Sequence, residues 1–195
     1  MNIILGSQSP RRRALMQGLD IPFTAVTIDA DESYPSMLQG GEIPLYIAHS
    51  KAEAYISQLK EGDVLITSDT IVWLEGAMLG KPHSLEEAKS MLHRLSGHTH
   101  QVYTAVCFSR LETENEGECK VKQESFVDCS NVTFRELTGE EIDYYVEKYR
   151  PLDKAGSYAI QEWIGYVGIT RIEGSQYTVM GFPIEQVYMY LKTLK

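Results

Sequence analysis

The chain has 195 residues, a formal net charge of −9 at pH 7 and 43% hydrophobic residues, a size and composition typical of one soluble globular domain. This acidic balance argues against a general surface for nucleic acids or anionic membranes, but it still allows a small polyanion to bind where Lys and Arg cluster. The three cysteines have no C-x-x-C spacing, which disfavours a zinc ribbon or a disulfide framework and favours a reducing, cytoplasmic setting. No apolar run approaches the ~20 residues of a membrane span.

The N-terminal residues predict a buried strand, a Gly/Ser loop and a helix in direct succession. The strand covers Asn2 to Leu5, and Ser9 before Pro10 is a favourable start for the helix. A helix N-terminus offers free N–H groups and the positive end of a dipole to an anion. The arginines at 11–13 are unfavourable there unless an anion such as phosphate is bound, and a solvated basic helix start is the alternative.

The next segment predicts a strand, an acidic loop and a long helix. Phe23 to Ile28 is the strand, and the loop at 29–32 is either a solvated tip or a divalent-cation site. Ile43 to Leu59 has the periodicity of an amphipathic helix. Lys51 lies beside its apolar stripe, where a lysine is ordinarily a surface residue.

The central stretch predicts a strand from Asp63 that ends in the polar triplet Ser68-Asp69-Thr70 before an apolar run resumes to Trp73. Glu75-Gly76 predicts a hairpin turn that returns Lys81 toward the same end. A rigid β scaffold would then hold one carboxylate and one ammonium. The alternative is that Asp69 caps a turn and Lys81 is solvated.

Capping boxes beginning at Ser84 and Thr138 predict two helices, separated by a pair of long strands. His98 and His100 lie on one strand face and could hold a metal, but without a third ligand we expect a hydrogen-bonded structural role. The remaining residues predict strands at 157–161 and 163–172 and a last helix from Pro183. Interleaved strands and helices imply a mixed α/β sheet.

The sequence resembles the Maf family of nucleoside triphosphate pyrophosphatases over nearly its whole length. Each motif is modest alone, but their order and spacing are specific. The motifs are Gly6-Ser7-Gln8-Ser9-Pro10-Arg11-Arg12, Lys51-Ala52, Ser68-Asp69-Thr70 with Gly80-Lys81-Pro82, Ser96-Gly97-His98-Thr99-His100-Gln101-Val102, Asp153-Lys154-Ala155-Gly156-Ser157-Tyr158-Ala159-Ile160-Gln161 and Gly181-Phe182-Pro183.

The resemblance implies an α/β fold, similar to inosine triphosphatases, with an elongated mixed sheet and flanking helices. It also implies a single domain over residues 1–195, with two lobes around a deep cleft. The implied reaction is hydrolysis of a nucleoside triphosphate to the monophosphate and pyrophosphate, dependent on Mg²⁺ or Mn²⁺. The implied catalytic residues are Asp69 as general base or acceptor, Glu32 and Lys81, with Asp69 and Glu32 as metal ligands. The implied substrate-binding residues are Ser7, Arg11, Arg12, Lys51, Thr70, Asp153, Lys154 and Gln161.

Within the family, three positions resemble the branch that acts on dTTP and UTP. That branch has Arg, Thr and Gln where this chain has Arg11, Thr70 and Gln161, whereas the 7-methyl-GTP branch typically has Trp, Gln and Glu. A Gln amide offers both a donor and an acceptor to a pyrimidine carbonyl and ring N–H.

Two other functions stay open beside dTTP/UTP hydrolysis. One is a nucleotide sensor in septum formation that binds without turnover, and the other is 7-methyl-GTP hydrolysis. The expected partner is a small nucleotide, with no nucleic acid and no membrane, and the resemblance also suggests a homodimer.

Overall fold

The computed structural model describes residues 1–113 and 119–194. The chain forms two compact units. The first comprises Met1–Asp69, Thr104–Asp128 and Gly181–Lys195, and the second comprises Thr70–Tyr103 and Cys129–Met180. None of the helices in the described ranges is long and apolar enough to cross a membrane.

Seven strands form one mixed sheet in the order β2-β1-β3-β5-β6-β7, with β4 paired to β3. The strands are β1 (Asn2–Gly6), β2 (Phe23–Val26), β3 (Asp63–Leu74), β4 (Ala77–Leu79), β5 (Thr99–Thr113), β6 (Cys119–Phe134) and β7 (Ile169–Glu173). The helices are α1 (Pro10–Gln17), α2 (Glu42–Ile56), α3 (Leu85–Leu95), α4 (Gly139–Tyr149), α5 (Trp163–Gly168), α6 (Gln176–Val179) and α7 (Ile184–Thr193). This confirms the mixed α/β fold.

In the first unit, β1 lies between β2 and β3 and is parallel to both, with Ile4 opposite Thr24 on one side and Leu65 on the other. Successive side chains of a strand point to opposite faces. One face of β1 and β3 therefore packs its apolar side chains with Met16 of α1 and with α7. The other face packs Leu65 with Ala48 and Ala52 of α2.

In the second unit, α3 and α4 pack around a shared apolar core that also contains Val72 of β3 and Phe134 of β6. The box at Thr138 is complete, because its hydroxyl accepts from the N–H of Glu141 and the Glu141 carboxylate accepts from the N–H of Thr138. At Ser84 the first hydrogen bond of a capping box forms, because the Ser84 hydroxyl accepts from the N–H of Glu87. The Glu87 carboxylate accepts from the N–H of His83 instead of from the N–H of Ser84.

The structure corrects two sequence-based predictions about strands. The polar triplet does not end a strand, because β3 continues through Ser68, Asp69 and Thr70 to Leu74. The segment 157–168 contains no strand: Gly156 and Ser157 have φ of 66° and 61°, and α5 begins at Trp163. Of the predicted strand at 163–172, only the end from Ile169 is a strand. A Cβ at Gly165 would lie 2.1 Å from the carbonyl oxygen of Ile160, so this glycine lets α5 pack onto the preceding backbone. That contact outweighs the β propensity of Trp163, Ile164 and their neighbours.

Both histidines of the predicted pair accept or donate hydrogen bonds within the protein. Nδ1 of His98 bonds to the carbonyl of Ser96 at 2.7 Å, and Nε2 of His100 bonds to the hydroxyl of Tyr158 at 2.7 Å. His100 is buried and its ring stacks on Phe134. The geometry agrees with the predicted structural role.

The buried His100 should make the protein acid-sensitive. Burial lowers the pKa of His100 to about 4 from an ordinary value of 6.5. As the pH falls from 6.5 to 4, this histidine therefore takes up a proton in the unfolded chain but stays neutral in the folded one. We expect the free energy of unfolding to decrease by about 3 kcal/mol between pH 7 and pH 4 because of this group. Urea unfolding of the native protein and of His100→Gln at pH 7 and pH 4 measures this decrease. An equal decrease in the free energy of unfolding of both proteins would contradict the prediction.

Candidate active site

The predicted strand, loop and helix at the N-terminus are present and are joined by serine side chains. Ser9 caps α1, with its hydroxyl accepting from the N–H of Arg12 at 3.4 Å. The buried hydroxyl of Ser7 accepts from the N–H of Ser9 at 3.1 Å, and Nε of Arg13 donates to the Ser7 carbonyl at 3.1 Å. These bonds fix the loop that leads into α1.

Arg12 is not a solvated residue at the helix start. Its Nε donates to the carbonyl of Gly181 and its Nη1 to the carbonyl of Ser68, both at 2.7 Å. Burial lowers the pKa of Arg12, while the carboxylates of Asp69 and Glu32 act in the opposite direction and neighbouring Arg11 adds to the lowering. The side chain is therefore a partly desolvated cation held beside two carboxylates.

Lys51 joins the two predicted carboxylates. Its Nζ lies 2.7 Å from Oδ1 of Asp69 and 2.9 Å from Oε1 of Glu32. Asp69 shares the β3 face of Leu65 and Thr67, which looks onto α2, and the Thr67 hydroxyl donates to the Ala48 carbonyl of that helix at 2.7 Å. The side chains of Lys51 and Asp69 are only 13% and 14% exposed, against 51% for Glu32. Lys51, which the sequence pattern predicts to be a surface lysine, is thus a largely buried cation between two anions.

This pair of carboxylates suits a divalent cation that takes its other ligands from phosphate and water. Mg²⁺ commonly binds one or two carboxylates together with substrate phosphates. In the described part of the chain, His, Cys, Asp and Glu form no group of three or more that could hold a metal. Asp69 and Glu32 therefore match a shared protein–substrate metal site and do not form a closed protein cage.

The first unit contains six of the predicted residues, and the second contains Thr70, Lys81, Asp153, Lys154 and Gln161. The predicted hairpin is confirmed, with Glu75 and Gly76 at φ of 52° and 79°. Lys81, just past β4, is exposed. The carbonyl of Gly80 accepts from the N–H of Gly156 at 3.1 Å, which ties this turn to the loop that carries Asp153 and Lys154.

Lys154 is a buried cation with two carboxylate partners. Its Nζ lies 2.7 Å from Oδ1 of Asp153 and 3.3 Å from Oε1 of Glu162, and its side chain is 9% exposed. Gln161 precedes Glu162, and its Oε1 is buried with no hydrogen-bond partner among the described residues. An acceptor in that state has a free-energy cost that a donor from a ligand can remove.

The Maf-like protein family model matches residues 2–194 of this chain. The chain belongs to the Maf-like family. A relative from Bacteroides thetaiotaomicron, named dTTP/UTP pyrophosphatase, is 52% identical over 193 residues, covering 98% of this chain and 95% of the relative. Another of that name, from Porphyromonas gingivalis ATCC 33277, is 53% identical over 194 residues, covering 97% and 92%.

One solved structure has a fold similar to that of this chain. The Staphylococcus aureus Ham1 protein covers 100% of both chains with a TM-score of 0.53 and 17% identity, which shows a likeness of fold alone.

Sequence reasoning missed the partners that hold the site residues in place. The carbonyl of Gly181 accepts a hydrogen bond from Arg12. In the sequence, only the motif Gly181-Phe182-Pro183 indicated a role for this glycine, whose φ is 95°. The acceptors Ser68 and Gly181 are backbone groups, which no residue type reveals. Ser68 Oγ is also buried, without a hydrogen-bond partner in the ranges that the structure describes.

Proposed function

We propose that this protein hydrolyses dTTP and UTP to the nucleoside monophosphate and pyrophosphate, with Asp69 as the general base. The observation that carries the proposal is the convergence of Asp69 and Glu32 on the ammonium of Lys51, at 2.7 and 2.9 Å. Relatives at 52% and 53% identity that are named dTTP/UTP pyrophosphatase give independent support.

The chemistry follows from the charges involved. A triphosphate carries about four negative charges, so cations and N–H donors supply most of the transition-state stabilisation. In the reaction, the oxygen of water forms a bond to the α-phosphorus, the bond from that phosphorus to the bridging oxygen breaks, and pyrophosphate leaves. Asp69 accepts a proton from the water. Arg12, fixed by two backbone carbonyls, can meet the phosphates without a further loss of side-chain freedom.

We also propose Ser7, Arg11, Lys51 and Lys81 as phosphate-binding groups, with Asp153 and Lys154 as further substrate-binding residues. Lys81 is exposed and thus accessible to an anion. Asp69 and Glu32 would hold Mg²⁺ or Mn²⁺. A divalent ion in such a site lowers the pKa of bound water and neutralises charge on the phosphates.

Gln161, with Arg11 and Thr70, is proposed to select the base. Uracil and thymine present a ring N–H between two carbonyls, so an amide oxygen can accept from the N–H while the amide nitrogen donates to a carbonyl. The buried, unpartnered Oε1 of Gln161 suits that N–H donor.

Pyrophosphate release from a nucleotide panel tests the proposal. The panel is dTTP, UTP, CTP, dATP, GTP and 7-methyl-GTP, each with and without Mg²⁺ or Mn²⁺. We expect release from dTTP and UTP, and only with metal. Release chiefly from 7-methyl-GTP would contradict the base assignment, and tight binding of dTTP without release would favour a nucleotide sensor.

A further inference from the structure

Glu162, which directly follows Gln161, binds side chains from two other segments of the second unit. The Tyr145 hydroxyl on α4 donates to its Oε2, and the Lys154 ammonium lies 3.3 Å from its Oε1. Both carboxylate oxygens therefore have partners from other parts of the chain. We call Tyr145, Lys154 and Glu162 the carboxylate bridge.

The carboxylate bridge is largely shielded from solvent, which strengthens its hydrogen bond and its ion pair. Tyr145 is fully buried, and the side chains of Lys154 and Glu162 are 9% and 22% exposed. Burial, reinforced by the adjacent carboxylate, raises the pKa of Tyr145, so the phenol keeps its proton and stays a donor at physiological pH. Removing the hydroxyl would leave a largely shielded carboxylate oxygen of Glu162 without this partner.

The backbone on either side of Gln161 is fixed as well. The Gln161 carbonyl accepts from the Tyr166 hydroxyl at 2.6 Å, and the Glu162 N–H donates to the Ala159 carbonyl at 3.1 Å. On the N-terminal side, Gly165 presses α5 against Ile160, where a Cβ would meet the carbonyl oxygen at 2.1 Å. Gln161 thus sits on a short segment held at both ends.

This rigidity matters because of the symmetry of an amide. A Gln side chain free to turn over can pair with uracil in one orientation and with cytosine in the other, since the two bases exchange donors for acceptors. Selection between them therefore depends on where the amide meets the base. The support fixes the Cα of Gln161, and with it the distance and angle at which the amide reaches the base.

We propose that Tyr145 and Glu162 are positioning residues for base selection, acting through Gln161 without touching the substrate. This inference rests on the proposed function. It assigns Lys154 a role in the bridge as well, since its ammonium is engaged by Glu162 and Asp153.

The test compares UTP with CTP, which share a ribose and differ only in the base, and uses tripolyphosphate as a base-free competitive inhibitor. In Tyr145→Phe we expect the UTP-to-CTP ratio of kcat/KM to fall about tenfold, as the loss of a charge-assisted hydrogen bond predicts. The change should lie in KM for UTP, with kcat and the inhibition constant of tripolyphosphate unchanged. Tyr149→Phe is the matched control, because that ring stacks on Tyr145 at 5.0 Å on the same helix.

A second variant covers the case in which Tyr145→Phe fails to fold. Glu162→Gln still accepts from Tyr145 but loses its charge toward Lys154, so we expect a smaller fall in the UTP-to-CTP ratio. A wild-type ratio in the folded variants would overturn the positioning role, as would an equal fall in Tyr149→Phe. A wild-type enzyme that turns over UTP and CTP equally would instead refute the proposed base selection itself.

Discussion

Asp69→Asn is expected to lower kcat for dTTP by about 10³-fold while the protein stays folded, because general-base catalysis contributes about 10²–10⁴-fold and an amide cannot accept the proton. The substitution keeps the size of the side chain and an oxygen that can still accept from Lys51, whose Nζ lies 2.7 Å from Oδ1 in the native protein. Initial rates of pyrophosphate release, with circular dichroism to verify folding, measure the effect.

Asp63→Asn is the matched control for that experiment. Asp63 begins the same strand, is buried, and accepts from Nδ2 of Asn2 and from the N–H of Lys60. It is six residues from Asp69 on β3, or about 20 Å along an extended strand. Turnover should persist in Asp63→Asn, and near-normal turnover in Asp69→Asn would remove Asp69 from the mechanism.

Gln161→Glu is expected to lower kcat/KM for dTTP about 10²-fold, because a carboxylate cannot donate to a pyrimidine carbonyl and both the base and the enzyme are left with unpaired polar groups. A guanine-type base offers donors to a carboxylate, so the preference should shift toward 7-methyl-GTP. Steady-state kinetics with both nucleotides measure the shift.

The control for Gln161→Glu is Gln58→Glu, an exposed position that receives the same change of charge. It should leave the ratio of the two substrates unaltered. If Gln161→Glu kept the selectivity of the parent protein, the base-selecting role of Gln161 would have no support.

Local signals in the sequence predicted much of the fold, because each is decided by nearby residues. The cap at Ser9, the capping box at Thr138 and the hairpin turn at Glu75-Gly76 are all set by residues within a few positions. The strands β1 and β3 were recognisable from their apolar runs. The error at α5 arose where a contact of Gly165 with the Ile160 backbone overrode local β propensity.

The candidate site was predictable in its residue types but not in its pairings. Lys51 lies 18 positions before Asp69, and Arg12 reaches a carbonyl 169 positions away, so no local pattern reveals either contact. The bridge at Glu162 was invisible because its partner Tyr145 looks like an ordinary core residue of α4. The roles of the predicted site residues, the metal and the homodimer stay predictions.

Phosphorus NMR of dTTP incubated with the protein and Mg²⁺ tests the central claim most directly, because it identifies the bond that breaks. Hydrolysis as proposed gives the signals of dTMP and pyrophosphate in equal amounts, with no early signal of inorganic phosphate. The appearance of dTDP with inorganic phosphate would contradict it, since the γ-phosphate and not pyrophosphate would then be the leaving product.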